Sequence, residues 1–328
     1  MTLIPNFGAA EGVAITVLID NRADLIVKST RTVKYWTRGP LLAEHGFSAL
    51  IDVKESGKRI LWDAGLTAEA LPENMRRMGI SASSIHGLAI SHGHHDHTAA
   101  VSAILKAMDL QPKPREWATG TPVQELRRWA EGQRVPLVAH PAAFRERWGL
   151  DQDGKKHGPL AGPPRAEWEA LGAELVLSEG PYELAPGCWT TGLVPRLSFE
   201  KSGRPTSLAY RDGDAFLKDD LEEDQAVVIN IQDKGLVVVS GCAHSGIVNT
   251  VNHAREISGM ERVYAILGGF HLARANDEEI YRTVEAMQAF QPKWIVPSHC
   301  TGFKAMCAFA AAMPTAFLPG IVGAKYAF

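Results

Sequence analysis

The stretch Ser91-His92-Gly93-His94-His95-Asp96-His97-Thr98 places four side chains able to ligate a metal, His92, His94, Asp96 and His97, within six residues. A divalent ion needs several nitrogen, oxygen or sulfur donors converging at bond distance. The alternative is a polar turn with accidental histidines. With only 12 His in 328 residues, four in one hexapeptide argue against it. Two ions so held would lower the pKa of a bridging water until hydroxide exists at neutral pH. They would also polarise a carbonyl or phosphoryl oxygen. Asp96 could orient that hydroxide while binding metal, which makes it a candidate catalytic residue. No Gly-x-Ser-x-Gly is present to suggest a serine nucleophile.

Something must carry those donors to one point. The apolar run Gly87-Leu88-Ala89-Ile90 reads as a short buried strand ending at the hexapeptide, with Gly93 letting the backbone turn sharply. Residues 13–20 read as a strand, and 47–53 and 59–62 as a pair joined by a turn over 54–58. Helical spacing covers 71–78, stopped at Gly79, then 98–108 and 124–130, with a strand at 135–138. Later, 226–231 and 235–239 read as a hairpin through Gln232-Asp233-Lys234, followed by a polar loop over 240–246 and a helix over 247–257. A strand at 263–267, a helix at 277–290, a strand at 294–296 and a helix at 303–313 complete the order. Each half runs from hairpin through a polar loop to a helix, a two-fold repeat of element order without a residue-level repeat. An α+β fold follows, with two stacked mixed sheets covered by helices.

Segments 141–165 and 196–223 shift toward Arg, Lys, Gly and Pro and read as loops or insertions within one domain spanning 1–328. The acids from Asp219 to Asp224 read as a solvated loop, with a lid as the alternative.

Several blocks resemble one branch of the metallo-β-lactamase-fold hydrolases. They are His92-x-His94-x-Asp96-His97, Ala43-Glu44-His45-Gly46-Phe47-Ser48, Leu61-Trp62-Asp63-Ala64-Gly65, Gly241-Cys242-Ala243-His244-Ser245-Gly246, Gly268-Gly269-Phe270-His271 and Ser298-His299-Cys300-Thr301-Gly302. The branch is that of the dihydropterin ribofuranosyl-aminobenzene 5'-phosphate synthase-like proteins. The resemblance implies a four-layer αββα sandwich, with two divalent metals at the sheet edge between the halves. His92 and His94 would hold one ion, Asp96 and His97 the other, and His299 matches the last His of the pattern. Cys242 stands where relatives carry a bridging Asp. Either it ligates as a thiolate or His244 does so in its place. Another metal His is expected near Thr191-Gly192 and is missing, so His244 or His271 could supply that ligand. Asp63 would lie beneath the metals and fix the tautomer of a ligating His. His95 is expected to face outward. His and carboxylate suit zinc, manganese or iron alike, and Cys242 leans toward zinc.

Composition narrows the rest. A net charge of −3 gives no electrostatic case for nucleic acid or an anionic membrane surface. No apolar run reaches about 18 residues, and residues 1–12 lack a signal-like pattern, so a cytoplasmic protein is expected. The four cysteines form no zinc-ribbon pattern, and free thiols are expected. Cys242 and Cys300 stand beside the candidate metal blocks, whereas Cys188 and Cys307 read as small packing residues.

The expected partner is a small molecule. Arg196 and Lys201 could meet phosphate. His45, His271 and His140 could reach substrate, and Asn21 and Asn74 fall in branch-like segments. Phe47, Phe270 or Trp189 could stack on a flat ring, with core packing the competing role. The chemistry is then hydrolysis of an ester, lactone or phosphoester. One alternative is transfer, with an amine displacing diphosphate from a pterin. Another is a sensor that keeps the fold without catalysis.

Overall fold

A computed structural model describes residues 3–113, 115–200 and 207–328. Among these, eight strands form one mixed sheet. Their order is Val33–Lys34, Lys325–Ala327, Val13–Ile19, Ser48–Val53, Lys58–Trp62, Gly87–Ala89, Val135–Ala139 and Ala173–Leu177. Six form the second, in the order Tyr182–Ala185, Cys188–Thr190, Ala226–Ile231, Gly235–Ser240, Val263–Gly269 and Trp294–Ser298.

Side chains alternate between the faces of a strand, and both faces here are buried. Ala49, Ile51 and Val53 meet Val227, Ile229 and Ile231 in the core between the sheets. Leu50 points the other way, into a cluster with Leu71 and Met75 of helix Ala70–Met78 and Ile104 and Leu105 of helix Val101–Met108. Val228 does the same on the far side, packing with Val251 of helix Ile247–Ser258 and Val284 of helix Asp277–Ala289. The layers are therefore helix, sheet, sheet, helix, as expected. Burial of both faces also explains why strands such as Val13–Ile19 read as continuous apolar runs rather than alternating ones. No helix among the described residues is long and apolar enough to cross a membrane.

Four expectations need correction. The helix expected over 98–108 is two pieces, His95–Thr98 and Val101–Met108, separated at Ala100, whose ψ of 1° leaves the helical region. The segments read as loops contribute strands to a third, antiparallel sheet, ordered Ala215–Lys218, Leu208–Asp212, Arg147–Leu150 and Lys156–His157. Ala215–Lys218 and Lys156–His157 are exposed throughout, so no apolar alternation announces them. The acidic run is not a solvated loop either, because Asp219, Glu223 and Asp224 are buried. Arg147 makes this possible, its guanidinium lying 2.5 Å from Asp219 Oδ2 and 2.5 Å from Glu223 Oε1. Finally, Cys307 is exposed rather than packed; all four cysteines are free.

Candidate metal centre

Three strand ends deliver the donors. Gly87–Ala89 leads into His92 and His94, and the one-turn helix His95–Thr98 carries Asp96 and His97. Gly235–Ser240 leads into Cys242 and His244, and Trp294–Ser298 into His299. Gly93 lies where the backbone bends after the strand, and it is also required for space: a Cβ there would sit 2.1 Å from the Ala143 carbonyl oxygen. Asp63, Ala243 and His299 all hold left-handed backbones, with φ of 58°, 55° and 47°. Such conformations are costly for non-glycine residues and gather where the surroundings enforce a geometry.

The donors fall into two sets that share Cys242. The donor atoms of Asp96, His97, Cys242 and His299 all lie within 4.8 Å of one another. Cys242 Sγ is 3.1 Å from His97 Nε2 and 3.3 Å from His299 Nε2. His92, Cys242 and His244 form a second group within the same limit, and His92, His94 and Asp96 a third. The His244 ring centroid is 4.7 Å from that of His92 and 5.0 Å from that of His94. His244 thus sits against the first two histidines. At the strand end where a His was expected, Thr191 is buried and its hydroxyl accepts a hydrogen bond from Ala226 N at 2.9 Å.

Braces stand behind these groups. Asp63 Oδ2 lies 2.7 Å from His97 Nδ1, and Asp63 accepts from Ser91 N at 2.7 Å and Ser91 Oγ at 2.8 Å. Ser91 Oγ is also 2.8 Å from His92 Nδ1. Asn21 Oδ1 is 3.0 Å from His299 Nδ1, while Asp20 Oδ1 accepts from His299 N at 3.0 Å. Holding the Nδ1 side of an imidazole turns its Nε2 lone pair toward the centre. Asp224 Oδ2 accepts from Ser245 N at 2.8 Å and steadies the loop carrying His244. Glu223 Oε1 accepts from Gly93 N at 3.3 Å, tying the Arg147 cluster to the hexapeptide.

Electrostatics separates the two sets. Burial opposes charge on His97, but Asp96 and Asp63 outweigh it and lift its pKa to about 9. Burial likewise works against the Asp96 carboxylate, yet His97 and His299 hold it well below the usual range. In the other set burial dominates. It drives His94 down to about 4 and His92 and His244 well below the usual imidazole value. Burial also pushes the Cys242 thiol up.

His92 Nε2, His94 Nε2 and both nitrogens of His244 are buried without a hydrogen-bond partner. Leaving buried polar atoms unpaired is costly. Neutral imidazoles converging on one another, beside a thiol and a carboxylate, fit a divalent ion.

The remaining candidates divide. His45 is exposed at the rim, with Nε2 3.6 Å from Asp96 Oδ2 and its ring centroid 5.0 Å from that of His299. The His271 ring centroid is 4.2 Å from that of His244. Arg196 donates to the backbone carbonyls of Asp220 and Leu221, and its charge bears on Asp224 and His244. Asp63 is buried behind His97, a positioning rather than a reacting place. His95 is exposed. His140 is buried, its Nδ1 accepting from Ala142 N at 3.2 Å. Asn74 bridges the Leu18 and Leu42 carbonyls at 2.8 Å each, a structural role. Phe270 is buried and packs on Phe309, the half-buried Trp189 packs on Phe7, and Phe47 is buried with its ring 6.4 Å from that of His299. Lys201 lies outside the described residues. Sequence reasoning missed Ser91 and Asp20 as braces and placed Asn21 only in a branch-like segment. Ser91 adjoins the hexapeptide, but nothing local marks Asp20, which meets His299 across 279 positions.

The model of the metallo-beta-lactamase superfamily matches residues 43–299. The 7,8-dihydropterin-6-methyl-4-(beta-D-ribofuranosyl)-aminobenzene-5'-phosphate synthase of Methanocaldococcus jannaschii is 32% identical over 308 residues, covering 92% of each chain. An uncharacterized protein of the same organism is 30% identical over 270 residues, covering 80% of this chain and 86% of its own. Among solved structures, Tm1679, described as a metal-dependent hydrolase of the beta-lactamase superfamily, superposes with a TM-score of 0.68. It is 22% identical, with 95% of this chain and 98% of that one covered, a likeness that speaks to the fold alone.

Proposed function

This chain belongs to the metallo-beta-lactamase superfamily, and from that premise we propose that it is a metal-dependent transferase of the synthase type. It would join an arylamine to a pterin methyl carbon with loss of diphosphate. One observation carries the metal-dependent reading: Cys242 lies between two donor sets, His92 and His244 (with His94 beside His92) on one hand and Asp96, His97 and His299 on the other. Each set would hold one divalent ion, with the Cys242 thiolate reaching both. The thiolate leans toward zinc, while the His and carboxylate donors also suit manganese or iron. Bound there, the ions would supply positive charge to phosphoryl oxygens as negative charge develops on them.

The chain's own residues do the rest. Asp63 and Asn21 keep His97 and His299 in one tautomer. His45, exposed at the rim beside Asp96, can take the proton released when an arylamine nitrogen bonds to carbon. In that step the new C–N bond forms as the C–O bond breaks, and diphosphate departs with the electron pair. Arg196, whose charge is felt at His244, could meet a phosphate if it exchanges a carbonyl partner for it.

Likeness to a synthase along 92% of both chains favours transfer over hydrolysis of an ester, lactone or phosphoester, which would use the same donors. The test is diphosphate release by the metal-loaded protein from a dihydropterin-methyl diphosphate, with and without an aminobenzene ribotide phosphate. Release that depends on the amine, with the coupled product, is expected. Equal release without the amine would replace transfer by hydrolysis. No release by a protein carrying two ions would overturn both.

A further inference from the structure

Cys242 has further neighbours that neither donor set uses. The donor atoms of Cys242, His271 and Cys300 all lie within 4.8 Å of one another. Cys300 is buried, with Sγ 3.5 Å from the Cys242 carbonyl oxygen. His271 Nδ1 is buried without a hydrogen-bond partner, and the residue holds a left-handed backbone with φ of 48°. Gly269 leaves room for the thiol: a Cβ there would fall 2.6 Å from Cys300 Sγ and 2.5 Å from the Gly241 carbonyl oxygen. Two thiols and an imidazole, brought together by strained backbone at one residue and an absent side chain at another, make a donor set unlike the others. It carries two sulfurs where the others carry at most one.

We infer that Cys242, Cys300 and His271 form a separate ion site for a soft, thiophilic cation of the zinc, cadmium or copper(I) class, and that this site competes with the paired arrangement for the Cys242 thiolate. Soft ligands select soft ions, and the Asp96 set is the harder of the two. Each thiol releases its proton to solvent as its sulfur bonds to the ion, so no oxidant or reductant is needed. An ion drawn to Cys300 and His271 takes away the donor the paired sets share, and loading by a soft ion therefore slows the reaction. The competition rests on the paired-ion reading; the site itself does not.

Cadmium is the probe, added to the full-length protein while the sulfur-to-metal absorbance is followed. Cys300→Ser lowers the saturating band to about half as the thiolate count falls from two to one. His271→Gln keeps the band but weakens cadmium binding by about 10-fold or more, at least the loss of an outer partner. Cys307→Ser, at an exposed position outside every donor set, leaves the band unchanged. His94→Ala separates the two claims: it costs an ion of the pair yet keeps the Cys300-dependent band. The inference is overturned if Cys300→Ser and His271→Gln both titrate like the wild type, or if the band vanishes in His94→Ala.

Discussion

The two donor sets that meet at Cys242 are built differently. Asp96 and His97 are charged, and His97 and His299 are braced. Asp63 stands behind His97 and Asn21 behind His299, and carboxylates on two sides of His97 lift it to about 9. His92, His94 and His244 are dry and neutral, with His94 held near 4 by burial and His244 carrying two unpartnered nitrogens. Their support comes chiefly through backbone: Glu223 accepts from Gly93 N between His92 and His94, and Arg147 holds Glu223. The carboxylates of Asp96 and Asp63 favour positive charge in one set, where His97 gives up its proton as an ion binds. The other offers lone pairs whose only gain is coordination. The braced set should therefore hold its ion more tightly.

The widest break in this comparison is Cys242→Ala, which strikes both sets at once. Removing it should lower turnover by more than the about 10–100-fold typical of an outer partner, with both ions weakened; steady-state rates and metal content report it. Arg147→Met tests the backbone support of the neutral set. It takes the guanidinium away from the buried Asp219 and Glu223 carboxylates, and should cost about 3–5 kcal/mol of stability in denaturant unfolding. A loss under about 1 kcal/mol would mean that water already satisfies those acids. Asp63→Asn sharpens the contrast, because it touches His97 directly. Metal affinity should drop by about 10–100-fold in the braced set, read by competition with a chelator, and the neutral set should change less.

Much of this centre was legible in the chain. The spacing of His92, His94, Asp96 and His97 after an apolar run could mean little else, and the family resemblance implied the brace at Asp63. The choice left open between Cys242 and His244 turns on space, since one loop brings both among the donors, Cys242 between the two sets and His244 beside His92. What escaped notice depends on distant partners. An acidic run is indistinguishable from a solvated one until Arg147 appears 72 and 76 positions away to bury Asp219 and Glu223. Strands such as Ala215–Lys218 carry no buried face and so leave no periodic trace.

The most direct test is metal content per chain by elemental mass spectrometry, on the wild type and on His244→Ala reloaded with zinc. Two ions in the wild type and one in His244→Ala, the survivor lost only when His97 is also replaced, is the result this arrangement predicts. Two ions retained by His244→Ala would contradict it, removing His244 from the first set and leaving that ion to other donors.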